Sequence, residues 1–301
     1  LSLHDALPIC GVEPEARRIA EEAVRDMATY GLIDANAENL SFSSDSRQNP
    51  FYTQATSTSW QDLRSNASIV MYMNAYEDPR RASYFSKSGY DGIYVGVRAG
   101  IQNVTPTDYA TYSYPLFAEK DPVPVMYASE SWFLRAEGAL LGWTMGDTAE
   151  NLYNTGVKTS LELWGNGSSY ETYIASETAP ALSYADPRNK HNVSDFGTAV
   201  SVKWADDGNE LVRIITQKWI ANHMIGHEAW ADVRRTGYPR LLQVVNNLSG
   251  GMWGNVDSSK GMRRLHYPQS EYDNNRENVL KGVELLGGSD LHGTDVWWAK
   301  K

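Results

Sequence analysis

His223 and His227 stand four residues apart, the interval at which two imidazoles on one helical face share a zinc ion, and Glu228 follows directly. The residues between them include no glutamate to act as the base of a hydrolytic zinc helix, and Gly226 ends the helical pattern, so a structural role is expected for both. Asp206, Asp207, Asn209 and Glu210 form an oxygen-rich group of the kind that holds calcium. They lack the alternation and length of an EF-hand loop and read better as an acidic turn ahead of the helix that carries Leu211. Glu228, Trp230, Asp232, Arg234 and Arg235 concentrate charge on the next element. Paired arginines and carboxylates at a helix junction form a hydrogen-bonded staple more often than an acid–base machine, and that is the expectation here.

A sugar surface needs no activated group, only flat aromatic faces for C–H surfaces and short polar side chains for hydroxyls. The chain offers Asn49, Phe51 and Tyr52 in a polar loop, Trp60 at the start of the next helix, and Tyr109, Tyr112 and Tyr114 in a turn-rich stretch. Taken singly, each of these aromatics reads as a packing residue. The bias is nonetheless towards aromatics with a polar handle, since 10 Trp and 18 Tyr stand against 6 Phe.

The 27 basic and 37 acidic residues leave a formal charge of -10, which argues against a nucleic-acid or anionic-membrane surface, because those are built from clustered Lys and Arg. A single cysteine, Cys10, rules out an internal disulfide framework. No apolar run is long enough to cross a membrane as a helix. Leu1–Ile9 match one reading frame of a common sequencing adapter, so residues 1–10 are expected to be non-native. Cys10 lacks the preceding small residue, the longer apolar run and the basic start of a lipidation signal.

The elements that would position these groups are mainly helical. Helical spacing of Ala16, Ile19, Ala20, Ala23, Val24 and Met27 predicts a helix over Pro14–Gly31, and a second is expected over Trp60–Tyr76, stopped by Asp78-Pro79. Gly89–Gly100 alternates apolar residues with glycine and reads as a short β-hairpin. Asp147 and Glu150 predict a capping box for a helix over Ala149–Trp164, with Leu152, Tyr153, Gly156, Val157, Ser160, Leu163 and Trp164 on one face. Thr178–Asp207 reads as an irregular surface segment, Ser270 as the cap of the last helix and Gly287-Gly288 as its end. The small residues facing each other in Pro124–Trp143 and Ala149–Gly165 predict a tetratricopeptide-like helix pair.

Pro124–Trp143, Ala149–Gly165, Ile214–Tyr238, Arg263–Val279 and Gly293–Trp298, in this order, resemble the C-terminal part of the SusD/RagB family of surface glycan-binding lipoproteins. The resemblance implies a mainly α fold of tetratricopeptide-like repeats with an irregular insert. On that basis residues 11–301 are expected to be a fragment of a SusD-like domain, with ligand-facing regions near 35–60 and 86–120 and a helical scaffold over 121–301. It further implies a lipid anchor upstream, at the outer face of the outer membrane, and early repeat helices that this fragment lacks. The expected partners are an oligo- or polysaccharide and a SusC-like TonB-dependent transporter, with no nucleic acid, no cofactor and at most a structural calcium. Analogy with the family puts Phe51, Tyr52 and Trp60 first among the ligand-binding residues. The expected activity is non-catalytic capture. The alternatives are a helical glycoside hydrolase or lyase, which needs two carboxylates across the scissile bond, and a purely structural helical-repeat adaptor.

Overall fold

The computed structural model describes residues 15–44, 48–56 and 63–299; Cys10, Pro14 and Trp60 lie outside them. Helices α1 (Ala16–Arg25) and α2 (Met27–Tyr30) are followed by strand β1 (Leu40–Phe42) and helices α3 (Pro50–Thr56), α4 (Ala67–Ala75) and α5 (Arg81–Tyr84). After an irregular stretch come β2 (Val123–Met126), α6 (Ala128–Leu140), α7 (Ala149–Leu163) and α8 (Tyr170–Ile174). The hairpin β3 (Ala181–Tyr184) and β4 (Val193–Thr198) precedes α9 (Glu210–Ala221), α10 (Gly226–Thr236), α11 (Gln269–Asn274) and α12 (Arg276–Leu286). β1 pairs antiparallel with β2, and β3 with β4, so the strands form small two-stranded ribbons on a mainly helical body.

The helix pair α6/α7 is the centre of the scaffold. Gly156 lets the two helices close up: a Cβ there would sit 3.0 Å from the Phe133 ring, which packs edge-on to Tyr153. Gly156→Ala is expected to lower stability by about 1–2 kcal/mol, because overpacking outweighs the gain in helix propensity. A lower urea midpoint at unchanged slope would show it; an unchanged or higher midpoint would mean that Phe133 can move aside. The buried face of α7 includes Leu152, Tyr153, Gly156, Val157 and Ser160 as expected, while Leu163 and Trp164 are only half-buried. Its cap lies one residue later than the sequence suggested. Thr148 Oγ1 accepts from Asn151 N at 3.2 Å, and Asp147 instead accepts from Thr148 N at 2.7 Å and from the Asn151 amide at 2.8 Å.

Other expectations are revised for identifiable reasons. The first helix breaks at Asp26, and Gly31, at φ 77°, closes its second piece. α4 begins at Ala67 because Asn66 Oδ1 caps it, accepting from Ser68 N at 2.8 Å. The residues just before it spend their main chain on the insert: Ser65 N donates to Ser113 O at 2.9 Å and Val97 N to Ser65 O at 2.8 Å. For that reason Gly89–Gly100 forms no hairpin. Its glycine alternation marks close backbone approach, since a Cβ on Gly96 would lie 2.6 Å from Asn66 O. The hairpin lies instead at β3/β4, inside the segment read as irregular. Ser270 sits within α11, the chain kinks at Asn275 (φ -141°), and Gly287 (φ 63°) closes α12.

Two buried charge networks tie the helices together. Arg80, fully buried, donates to Asp78, to Ser160 Oγ at 2.9 Å and to Gln217 Oε1 at 3.0 Å, while the Tyr173 hydroxyl donates to Asp78 at 2.7 Å. The second is the staple at the helix junction: Lys218 on α9 meets Glu130 on α6 at 3.2 Å and Asp232 on α10 at 2.8 Å. Arg235 bridges Asp232 at 2.9 Å and both carboxylate oxygens of Glu137.

Candidate functional site

β1, α3 and the 114–121 segment meet at one surface. Asn49 organises it and is itself 1% exposed. Its Oδ1 accepts from Phe51 N at 2.8 Å and Tyr52 N at 3.3 Å, capping α3, and its Nδ2 donates to Asp121 O at 2.9 Å. Asn49 N donates to Glu119 O at 2.9 Å, Ser44 Oγ to Asp121 O at 2.8 Å and the Gln48 amide to the Glu119 carboxylate at 3.1 Å. These four polar contacts to Glu119 and Asp121 lock the segment just ahead of α3 to the end of the insert. They hold Phe51 parallel to Phe117, with centroids 5.5 Å apart and an interplanar angle of 23°. Both rings are half-buried, as is Tyr52, while Phe42 on the adjoining β1 is 71% exposed.

The regions near 35–60 and 86–120, read separately from the sequence, thus share a face. Asn49 is the bracket rather than a ligand contact, and Trp60 lies outside the described residues. Phe117 went unnoticed in the sequence. The available signal was an aromatic two residues after Pro115, just ahead of the acidic turn Glu119–Asp121.

Tyr109 and Tyr112 are placed elsewhere. Tyr112, 1% exposed, donates its hydroxyl to Asp186, and that carboxylate also accepts from the main-chain N–H groups of Arg188, Lys190 and His191 at 3.1 Å each. Burial works to raise the Asp186 pKa, but the Tyr112 hydroxyl and these N–H groups outweigh it and hold it below the usual carboxylate value. Tyr109, 6% exposed, packs 4.9 Å from Tyr112 beneath the Arg188 guanidinium, which is 5.0 Å from its ring centre and paired to Asp108 at 2.7 Å. No ring face is left on either for a sugar, a correction to the expected platform. The loop after β3 carries Asp186 and Arg188 down onto them, a long-range contact that local spacing does not encode. Tyr114 is half-buried, its main chain paired with Ser86. Beside this nest a cleft of about 260 Å³ runs between α4, Tyr94–Gly96 and β3, with Asn74 and Ser183 as its polar lining.

The metal-like spacings do not assemble. His223 is buried, stacked on Tyr84 at 4.1 Å, whereas His227 is exposed beside Glu228. Asp207 accepts two bonds of 2.7 Å from Arg213, Glu210 accepts from Gly208 N, and Asp206 from the Trp204 indole. Among the described residues no group of three or more His, Cys, Asp or Glu converges to hold a metal.

A profile described as SusD-like, "Susd and RagB outer membrane lipoprotein", matches residues 1–299. Comparison with curated proteins gives no match. A SusD homologue from Bacteroides thetaiotaomicron superposes with a TM-score of 0.87 at 40% identity, covering 99% of this chain and 64% of that one. A SusD homologue from Bacteroides uniformis gives 0.89 at 41%, covering 99% and 63%. A chitin-binding SusD homologue from Flavobacterium johnsoniae gives 0.90 at 40%, covering 99% and 62%. The chain therefore spans less than two-thirds of the length of these relatives. Its helix pairs, two-stranded ribbons and loop-rich insert, together with these matches, make it a member of the SusD-like family of outer-membrane lipoproteins.

Proposed function

We propose that this chain forms part of a non-catalytic glycan-binding protein, which captures oligo- or polysaccharide outside the cell and hands it to a SusC-like TonB-dependent transporter. The observation that carries the reading is the Phe51/Phe117 pair, half-exposed and held rigid by Asn49. Flat rings fixed in advance lose little conformational entropy when a pyranose stacks on them. The relative described as chitin-binding makes N-acetylglucosamine oligomers the first ligands to try.

A glycoside hydrolase would need a carboxylic acid with a raised pKa facing a second carboxylate. Three carboxylates held by arginine or lysine are shifted the other way. Burial favours neutral Asp232 and Asp290, yet Lys218 and Arg235 lower the first, and Tyr272 and Arg264 the second, while Asp207 is lowered by Arg213. Each is tied up in a structural ion pair, which supports binding without chemistry.

Phe51→Ala and Phe117→Ala are each expected to weaken retardation of the protein by its glycan in affinity electrophoresis about tenfold, or about 1.4 kcal/mol, with no reducing sugar released by any form. Release of reducing ends, or retardation equal to wild type in both variants, overturns the reading.

A further inference from the structure

We propose that Glu119 makes the Phe51/Phe117 surface selective for glycans that carry free, protonated amines, such as glucosamine polymers, over their neutral N-acetylated forms. The inference rests on the reading of that surface as a glycan site and names the class of glycan it prefers. Glu119 is exposed, two residues beyond Phe117, and its carboxylate accepts from the Gln48 amide at 3.1 Å. Gln48 directly precedes the bracket Asn49, and its own Oε1 accepts from the hydroxyl of Thr53, on α3, at 3.4 Å. The carboxylate is pinned in this way to the segment that holds Phe51.

Glu119 forms no ion pair with a Lys or Arg among the described residues. Lys120, next in the chain, donates to Ser44 O at 3.4 Å, and Asp121 accepts from Ala118 N at 2.7 Å. The fold leaves one uncompensated carboxylate at the edge of an aromatic pair, the combination that recognises cations.

The ring type points the same way. Phenylalanine offers a sugar no hydrogen bond, but its face is the negative side of the ring quadrupole and attracts a cation. A pyranose stacked through its C–H groups presents its substituents at the ring edge. An ammonium there gains a charge-assisted hydrogen bond to Glu119, whereas an acetamide brings only a neutral N–H. The formal charge of -10 also favours the approach of a polycation over that of a neutral chain. Cation–π attraction and one exposed ion pair together are worth about tenfold in affinity.

The test titrates the full chain calorimetrically, at pH 6, with hexamers of β-1,4-linked glucosamine and of N-acetylglucosamine. The glucosamine hexamer is expected to bind about tenfold more tightly at low salt, and the ratio to shrink as sodium chloride is raised. Glu119→Gln is expected to bring the ratio of the two affinities close to one. Glu284→Gln, which removes an exposed carboxylate on α12, should leave the ratio as in the wild type and so exclude general attraction to an acidic protein. Phe51→Ala should weaken both hexamers. An N-acetylglucosamine hexamer that binds as well as the glucosamine hexamer, or a preference that survives Glu119→Gln, overturns the selectivity while leaving the glycan surface standing. Silence with both hexamers overturns the surface and the selectivity together.

Discussion

Lys218→Met is expected to destabilise the protein by about 3–5 kcal/mol, because it removes the buried ammonium that Glu130 and Asp232 share. The Lys218 side chain is 2% exposed, Glu130 1% and Asp232 5%. Burial alone would push the lysine towards its neutral form, but Asp232 and Glu130 outweigh it and hold the ammonium charged, above the ordinary lysine pKa. With the ammonium gone, Arg235 is the one remaining cation of the staple, already shared between Glu137 and Asp232. The loss should be largest near neutral pH and shrink as the solution is acidified, since protonation relieves the excess negative charge left at the junction. Adding Glu130→Gln to Lys218→Met should recover part of the stability by removing one of the negative charges that the ammonium had balanced. Equilibrium urea unfolding of the single and double variants at pH 7 and pH 5 measures all of this. A cost below about 1 kcal/mol for the single variant would mean that water reaches the junction and solvates both acids.

That staple was legible in the sequence, because Glu228–Arg235 packs alternating charges next to the apolar stripe Leu211, Ile214, Ile215 and Trp219. Its partners were not, since Glu130 and Glu137 lie roughly a hundred residues upstream on α6 and nothing local pairs them with Lys218 or Arg235. The same division runs through the rest of the molecule. The helix period exposed α7 and its face, and Gly287 exposed the end of α12, because both depend on residues within a few positions. The alternation at Gly89–Gly100 misled for the opposite reason. Gly96 answers to Asn66 and Gly100 to Val244, both distant in sequence, and the strand-like pattern is used for those close approaches. At the candidate site Asn49 and Phe51 could be picked out as sugar-surface candidates, but the capping role of Asn49 and the part played by Phe117 could be identified only once the insert had folded back. Tyr109 and Tyr112 show the limit of counting aromatics: composition marked them, and the Asp186 turn decided that they are packing residues.

Acid is expected to weaken the fold through His223 before the carboxylates respond. His223 is 7% exposed, stacked on Tyr84 with an interplanar angle of 9° and edge-on to Phe85 and Trp164. Burial in this aromatic box pushes its pKa down to about 3 from 6.5. Above pH 6.5 both folded and unfolded chains carry a neutral imidazole and the residue contributes no pH dependence. As the pH falls below 6.5 the unfolded chain takes up a proton that the folded chain refuses, so stability drops until the folded imidazole titrates near pH 3. Between pH 6.5 and 5 the expected loss is about 2 kcal/mol, at about 1.4 kcal/mol per unit, in a window where carboxylate protonation is still small. His223→Phe keeps a ring against Tyr84 and removes the titrating nitrogen; His223→Gln removes it without adding bulk. Urea midpoints measured from pH 7.5 to 5 should slope downward for the wild type and lie flatter by about 2 kcal/mol for both variants. A wild-type midpoint that holds steady to pH 5, or a slope that survives in both variants, would mean that the box opens to water and that His223 is protonated in place.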